Sequence, residues 1–311
     1  MGRPGILRGV RFSIWPFAAQ PWSDLLATAA HAEATGWDGV YVADHFMASG
    51  GGGMPEETPM LEAGSVLAAL AAAVPRVRLA SLVFGNTYRH PAVLANMAAT
   101  IDHVSGGRFT LGIGAGWQVN EHEQYGIELP PTRQLIDRFG EALEVVTGLL
   151  RRERTTFAGE YYRLTDALCE PKPVQERMPV LVGASGEKRM LGLVARYADV
   201  WNAWGLPELI AHKSSVLDAH CEKVGRDPGE VGRTCQALVF VTDTDEAAEA
   251  LAGRMHLPAF GGTVERLVDV VGAYAEAGVD EFIVPDRSLG AGPERFERMD
   301  VLVERVFPQF R

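Results

Sequence analysis

Three consecutive stretches decide the fold: Gly39-Val40-Tyr41-Val42-Ala43, then Gly64-Ser65-Val66-Leu67-Ala68-Ala69-Leu70-Ala71-Ala72-Ala73, then Val77-Arg78-Leu79-Ala80-Ser81-Leu82-Val83-Phe84. The first and third are short and apolar, as strands are. The middle one is an alanine-rich helical run. Strand, helix, strand is the repeating unit of a parallel α/β fold. Upstream, Val10 to Trp15 reads as a strand and Trp22 to Thr35 as a helix, capped by Ser23 and stopped by Gly36. Downstream, Ala92 to Val104 is a helix that stops at Ser105-Gly106-Gly107. Phe109 to Ile113 is a strand, Leu135 to Leu150 a helix, and Thr155 to Leu164 an inserted hairpin turning near Ala158-Gly159. The alternation resumes with strands at Val180 to Val182, Asp199 to Ala203, Cys235 to Val241 and Val279 to Pro285. Helices are expected at Lys188 to Tyr197, Leu209 to Val224, Glu246 to Met255, Val264 to Ala277 and Glu294 to Val306. Eight such units favour a closed (β/α)8 TIM barrel with a small inserted hairpin. An open doubly wound sheet is the alternative, because periodicity does not show closure.

The chain has 311 residues, 47% of them hydrophobic, enough to bury a large core. No low-complexity linker divides it, so residues 1–311 are read as one domain. Lys and Arg number 29 against 40 Asp and Glu, a net charge of −11, without the basic footprint of non-specific nucleic-acid binding. The apolar run Val66 to Val74 is about half the length that crosses a bilayer. Cys169, Cys221 and Cys235 are far apart and odd in number, which suits reduced thiols rather than a disulfide framework. A cytoplasmic protein is expected. No H-x-H, H-E-x-x-H or Gly-x-Ser-x-Gly motif occurs, so the usual zinc-hydrolase and nucleophile-elbow chemistries have no support, and no metal is expected.

In a barrel, polar residues just past the strand ends converge on one mouth. Here these are Asp44-His45, Ser81, Asn86 to His90, Gly112 to Trp117 with Asn120 and Glu121, Gly183 to Glu187, Trp201-Asn202, and Asp286-Arg287. Asp44-His45 reads as an acid/base pair or as a hydrogen-bonding clamp. Gly183 to Gly186 runs into a helix and reads as a phosphate cradle, helped by Lys188 and Arg189, or as a tight strand-to-helix turn. Gly112-x-Gly114-x-Gly116 lacks Rossmann spacing and would let a flat ligand approach the backbone. His90 before Pro91 reads first as a loop anchor, and His122 and Glu123 as solvated loop residues. Trp15, Trp117, Trp201 and Trp204 would either wall a planar ligand or pack the core. Gly50 to Gly53 reads as a mobile lid or as a tolerated flexible loop.

Several segments together resemble the bacterial luciferase-like oxidoreductases, in particular the branch that uses the deazaflavin coenzyme F420. They are Asp38 to Phe46, Tyr88 to Ala92, Ser105 to Phe109 with Gly112 to Trp117 and Asn120-Glu121, Glu170 to Pro173, Val182-Gly183, Ala198 to Asn202, and Tyr274 to Glu281. The resemblance implies a flavin-like cofactor in the C-terminal mouth, with Asp44 and His45 near its ring and side chain. Ser81-Leu82 matches a position where the family often has a non-proline cis peptide backing the ring. Asn86 or Thr87 and Asn120 would contact the ring or ribityl chain, and Gly183, Ala184, Ser185 and Gly186 the phosphate. His45 would donate or accept the proton while a hydride moves between F420 and a small organic substrate. An FMN-dependent luciferase-like monooxygenase is the alternative within the class, and a non-catalytic flavin-binding barrel the alternative outside it. The resemblance also implies a homodimer formed through outer helices.

Overall fold

The computed structural model describes residues 9–50 and 54–311. Eight parallel strands carry the fold: β1 (Arg11–Trp15), β2 (Gly39–Val42), β3 (Arg78–Ser81), β4 (Phe109–Gly114), β5 (Val180–Gly183), β6 (Val200–Trp204), β7 (Gly232–Gln236) and β8 (Glu281–Pro285). Their order in the sheet is β3-β2-β1-β8-β7-β6-β5-β4, and β4 pairs back to β3 through Leu79–Phe109 and Ala80–Thr110. The sheet is a closed (β/α)8 barrel, as the alternation implies.

The chain divides into two compact units. One comprises Ala18–Pro21 and Val42–Gly183; the other comprises Met1–Phe17, Trp22–Tyr41 and Ala184–Arg311. In the first, β3, β4 and β5 lie beside helices α2 (Ala63–Ala73), α3 (Pro91–Ser105), α4 (Val119–Tyr125) and α5 (Thr132–Arg151). Apolar side chains of α5, such as Phe139, Leu143 and Val146, are fully buried. The inserted hairpin pairs Thr155–Ala158 antiparallel with Arg163–Ala167. In the second unit, β1 pairs with β8, β8 with β7 and β7 with β6. Its helices are α1 (Trp22–Thr35), α6 (Met190–Tyr197), α7 (Pro207–Lys223), α8 (Asp245–Ala252), α9 (Val264–Glu276) and α10 (Pro293–Val301).

Five local expectations need correction. The apolar run 77–84 is not one strand: β3 ends at Ser81, the Leu82–Val83 peptide is cis, and Phe84–Gly85 forms a separate two-residue strand on β4. The cis bond therefore lies one peptide beyond Ser81-Leu82. The run 235–241 also splits, because Gly232–Gln236 joins the barrel while Leu238–Val241 pairs outside it with Ala259–Gly262. Residues 119–125 form a helix rather than a loop, closed by Gly126 at φ 65°. Helix α6 starts at Met190, two residues later than expected. Ser23 lies inside α1 and bonds Asp24 instead of capping the helix. Among the described residues no helix is long and apolar enough to cross a membrane.

Candidate active site

The Val42–Gly183 unit gathers the segments that follow β2, β3 and β4. Just past β2, Asp44 and His45 diverge in role. The Asp44 carboxylate is buried and holds Arg89 with both oxygens, at 2.6 and 2.9 Å, while Oδ2 also accepts the Gly85 amide at 3.0 Å. Arg89 also bonds Glu62, the residue capping α2, and its guanidinium lies 4.9 Å from the Phe84 ring centroid. Bidentate pairing of this kind fixes geometry as well as charge. Asp44 thus clamps the segment after β2 to the segment after β3.

His45 is held differently. Its Nδ1 lies 2.7 Å from Glu121 Oε1, and Glu121 has no side-chain exposure. Glu121 also accepts the Phe46 amide and, at 2.9 Å, the Tyr88 hydroxyl. Burial alone would push the Glu121 carboxyl up, but the His45 hydrogen bond and charge, the Phe46 amide and Tyr88 outweigh it and hold it below the ordinary carboxylate value. Burial, then the Glu121 charge, pushes the Tyr88 hydroxyl well up, so it stays a donor. A carboxylate on Nδ1 fixes the tautomer, leaving Nε2 as the basic nitrogen. His45 keeps 23% side-chain exposure, and no described residue hydrogen-bonds Nε2.

Helix α4 supplies the rest of the clasp on the loop after β2. Gln118 donates to Met47 O at 3.0 Å, and Asn120 donates to Ala48 O at 2.8 Å and to Glu56 at 3.3 Å. Of the glycine run proposed as a lid, Gly50 has φ 73°, and residues 51–53 lie outside the described residues. Thr87 accepts or donates at His122 Nε2, 2.8 Å away, and the other His122 nitrogen meets Gln118 O, so this buried histidine is a brace rather than a solvated loop residue. His90 caps α3, as expected of an anchor. Asn86 is fully buried. Its Nδ2 lies 3.4 Å from the Tyr162 hydroxyl, while its Oδ1 has no partner among the described residues.

Ser81 faces neither solvent nor an open site. Its hydroxyl donates to Gly112 O and accepts Gly112 N–H, both at 2.8 Å. A Cβ at Gly112 would stand 1.9 Å from the Ser81 carbonyl oxygen. A Cβ at Gly114 would lie 2.7 Å from Val83, and one at Gly183 would lie 3.1 Å from it. The room these glycines leave is filled by Val83 and the Ser81 carbonyl, not by an approaching ligand. Leu82, at 7% exposure, sits between these two fixed residues.

In the other unit, Ala184, Ser185 and Gly186 lead towards α6. The Ala184 amide is already bonded to Asn202 O, and Ala184 O accepts the Trp201 indole N–H at 2.8 Å. Trp201 is therefore core. Ser185 and Gly186 are exposed. Beneath them Lys213, mostly buried, donates to Ser185 O at 2.7 Å and to Glu187 at 3.1 Å. Lys213 had no sequence signal, because it comes from α7. Trp15 packs edge-on against Trp204 at 5.7 Å. No group of three or more His, Cys, Asp or Glu side chains among the described residues is placed to hold a metal ion.

Comparison with known proteins then decides the family. The profile for luciferase-like monooxygenases matches residues 4–277. The chain belongs to this family. An uncharacterized protein of Mycobacterium tuberculosis is 34% identical over 187 residues, covering 56% of this chain and 65% of that protein, just under two thirds of its length. The F420-dependent glucose-6-phosphate dehydrogenase of Nakamurella multipartita is 32% identical over 258 residues, 80% of this chain and 72% of that one. A pyrimidine monooxygenase of Stutzerimonas stutzeri is 34% identical over 61% of this chain and 53% of its own. Among solved structures, an F420-dependent secondary alcohol dehydrogenase superposes with a TM-score of 0.82 at 22% identity, covering 97% of this chain and all of that one. That likeness carries the fold.

Proposed function

We propose that this member of the luciferase-like family is an F420-dependent oxidoreductase that moves a hydride between the deazaflavin and a small organic substrate. One observation carries the reading: His45 is fixed through Nδ1 by a buried carboxylate and open at Nε2. Moving a hydride to or from an oxygen-bearing carbon requires a proton to leave or join that oxygen, and a positioned imidazole does this near neutral pH. Glu121 stabilises the imidazolium while the proton is on the ring. The coenzyme supplies the two-electron chemistry, and the chain binds, orients and moves the proton.

The residues present suit such a coenzyme. The buried, unpartnered Asn86 Oδ1 would accept a ring N–H, since leaving it unpaired costs about 1–3 kcal/mol. Leu82, held by Ser81 and by Val83 in its glycine slot, would support the flat ring. Asp44, Thr87 and Asn120 act by fixing Gly85, His122 and the loop after β2, respectively. The turn 183–186, with Lys213 beneath it, would take the phosphate. F420 is favoured over FMN because relatives with F420-dependent names align over 73–80% of the chain, against 61% for the pyrimidine monooxygenases. The buried, unpaired Cys169, Cys221 and Cys235 suit a reducing cytoplasm. A homodimer, taken from the family resemblance, is checked by sedimentation.

The test is a titration of the purified protein with F420 and, separately, FMN, followed by coenzyme fluorescence. F420 binding with weak or no FMN binding supports the proposal. The reverse result replaces it with the monooxygenase reading. Coenzyme binding without single-turnover hydride transfer to any of a substrate panel would leave a non-catalytic barrel. His45→Ala should lower turnover about 10²–10⁴-fold while changing coenzyme affinity little. Weaker binding at unchanged turnover would remove the catalytic role.

A further inference from the structure

We infer that the substrate is an uncharged alcohol or carbonyl compound bearing a flat apolar group, which stacks on Trp117 while its oxygen meets Nε2 of His45. The inference rests on the oxidoreductase reading above. Trp117 is 65% exposed, and its ring stands edge-on to His45 with centroids 5.6 Å apart. A tryptophan so exposed is ordinary at a floppy tip, but this one is not at such a tip. Gly116 has φ 99° and a Cβ there would stand 2.7 Å from Thr87 Oγ1; Gln118 is tied to Met47 O. The backbone is fixed on both sides, and the exposed indole is held beside the His45 ring. Other apolar side chains of the same segment are also exposed: Val119 is 55% exposed, and Tyr125, 57% exposed, stacks on Phe46 at 5.0 Å. Planar ligands gain both burial and ring stacking on such a surface.

The charges nearby argue against an anionic substrate. Asp44, Glu62, Glu121 and Glu56 all bond residues of this cluster. Arg89 is committed to Asp44 and Glu62, and Arg138 donates to the Tyr162 hydroxyl. A phosphate ester brought to His45 would meet carboxylates without a cation in hydrogen-bond contact with the imidazole among the described residues. In the oxidative direction, the carbinol C–H bond breaks and its electron pair leaves as hydride to the oxidised deazaflavin. The O–H bond breaks, its proton passes to His45 Nε2, and the C=O bond forms. The alcohol is oxidised by two electrons and the deazaflavin reduced by two; the proton then leaves His45 for solvent.

The experiment compares 1-phenylethanol, 2-propanol and glucose 6-phosphate on the F420-loaded wild type, Trp117→Ala and Trp117→Phe. Calorimetric binding of acetophenone and sedimentation of each variant are measured alongside. Wild type should prefer 1-phenylethanol. Trp117→Ala should cut its preference over 2-propanol about tenfold, chiefly through KM, and weaken acetophenone binding by a similar factor; Trp117→Phe should restore most of both. An unchanged preference in Trp117→Ala overturns the inference. So does better turnover of glucose 6-phosphate, or a Trp117→Ala protein that merely changes oligomeric state, which would make the aromatic face an interface between copies. These outcomes leave the coenzyme reading standing, whereas failure of wild type to bind F420 overturns both.

Discussion

Replacing Glu121 by Gln tests the site at its centre, because the two side chains have the same shape. Glu121 accepts three hydrogen bonds in a fully buried position: from His45 Nδ1 at 2.7 Å, from Tyr88 at 2.9 Å and from the Phe46 amide. The Phe46 N–H is always a donor, so the glutamine oxygen must face it. The new NH2 then faces His45 and Tyr88, both of which can switch to accepting. For His45 that switch moves the proton from Nδ1 to Nε2, and the nitrogen that should accept a proton already carries one. Each bond loses about 1 kcal/mol of charge assistance, partly offset because no carboxylate need be desolvated; the net destabilisation should be about 1–3 kcal/mol at pH 7. Turnover in the alcohol-oxidising direction should fall about 10²–10⁴-fold, with coenzyme affinity retained. Long-range nitrogen–proton NMR of His45 would show the Nε2–H tautomer directly. The stability gap also has a defined pH dependence. The Glu121 carboxyl sits below its ordinary value when folded, so its contribution is full above the unfolded pKa near 4.5 and vanishes as pH falls through the depressed folded value. Wild type and Glu121→Gln should therefore converge at acid pH. A variant that keeps its Nε2 lone pair, turns over within threefold of wild type and shows no convergence would refute the dyad.

Other predictions are simpler. Gly112→Ala would place a methyl 1.9 Å from the Ser81 carbonyl oxygen, and should cost about 4 kcal/mol or more, whereas Gly106→Ala, at φ 67° in open space, should cost only about 1 kcal/mol; thermal unfolding of both checks this. Arg89→Met leaves the buried Asp44 carboxylate uncompensated and should destabilise by about 3–5 kcal/mol, with Asp44→Asn restoring part of the loss in chemical denaturation. Burial pushes all three thiols up, Cys235 furthest, so native protein should react slowly with a disulfide reagent; a rapidly titrating thiol would contradict the packing around it.

The barrel was legible because periodicity is local. Each strand and helix announces itself within about ten residues, and eight alternations leave few architectures open. What failed lacked either local contrast or a partner close in sequence. Val77 to Phe84 is apolar apart from Arg78 and Ser81, and neither residue marks the break after Ser81. The glycines at 112 and 114 were visible as an anomaly, but their purpose depends on Val83 some thirty residues away. His45 was legible as a strand-end histidine, while its partner was hidden. Glu121 stood among the polar residues after β4, yet without α4 there was no reason to aim it back at β2. The same applies to Lys213, whose contact with Ser185 spans 28 positions. Tertiary pairing, not residue type, separates these from ordinary surface charges.

The slot around Val83 has a practical corollary for anyone seeking to reshape this protein. Positions 83, 114 and 183 share one small volume, so scanning them individually would brand each immutable, while 112 is closed separately by the Ser81 carbonyl. Only libraries that vary them jointly, trading bulk at 83 against a methyl on a neighbouring strand, can explore how this packing tolerates a new contour.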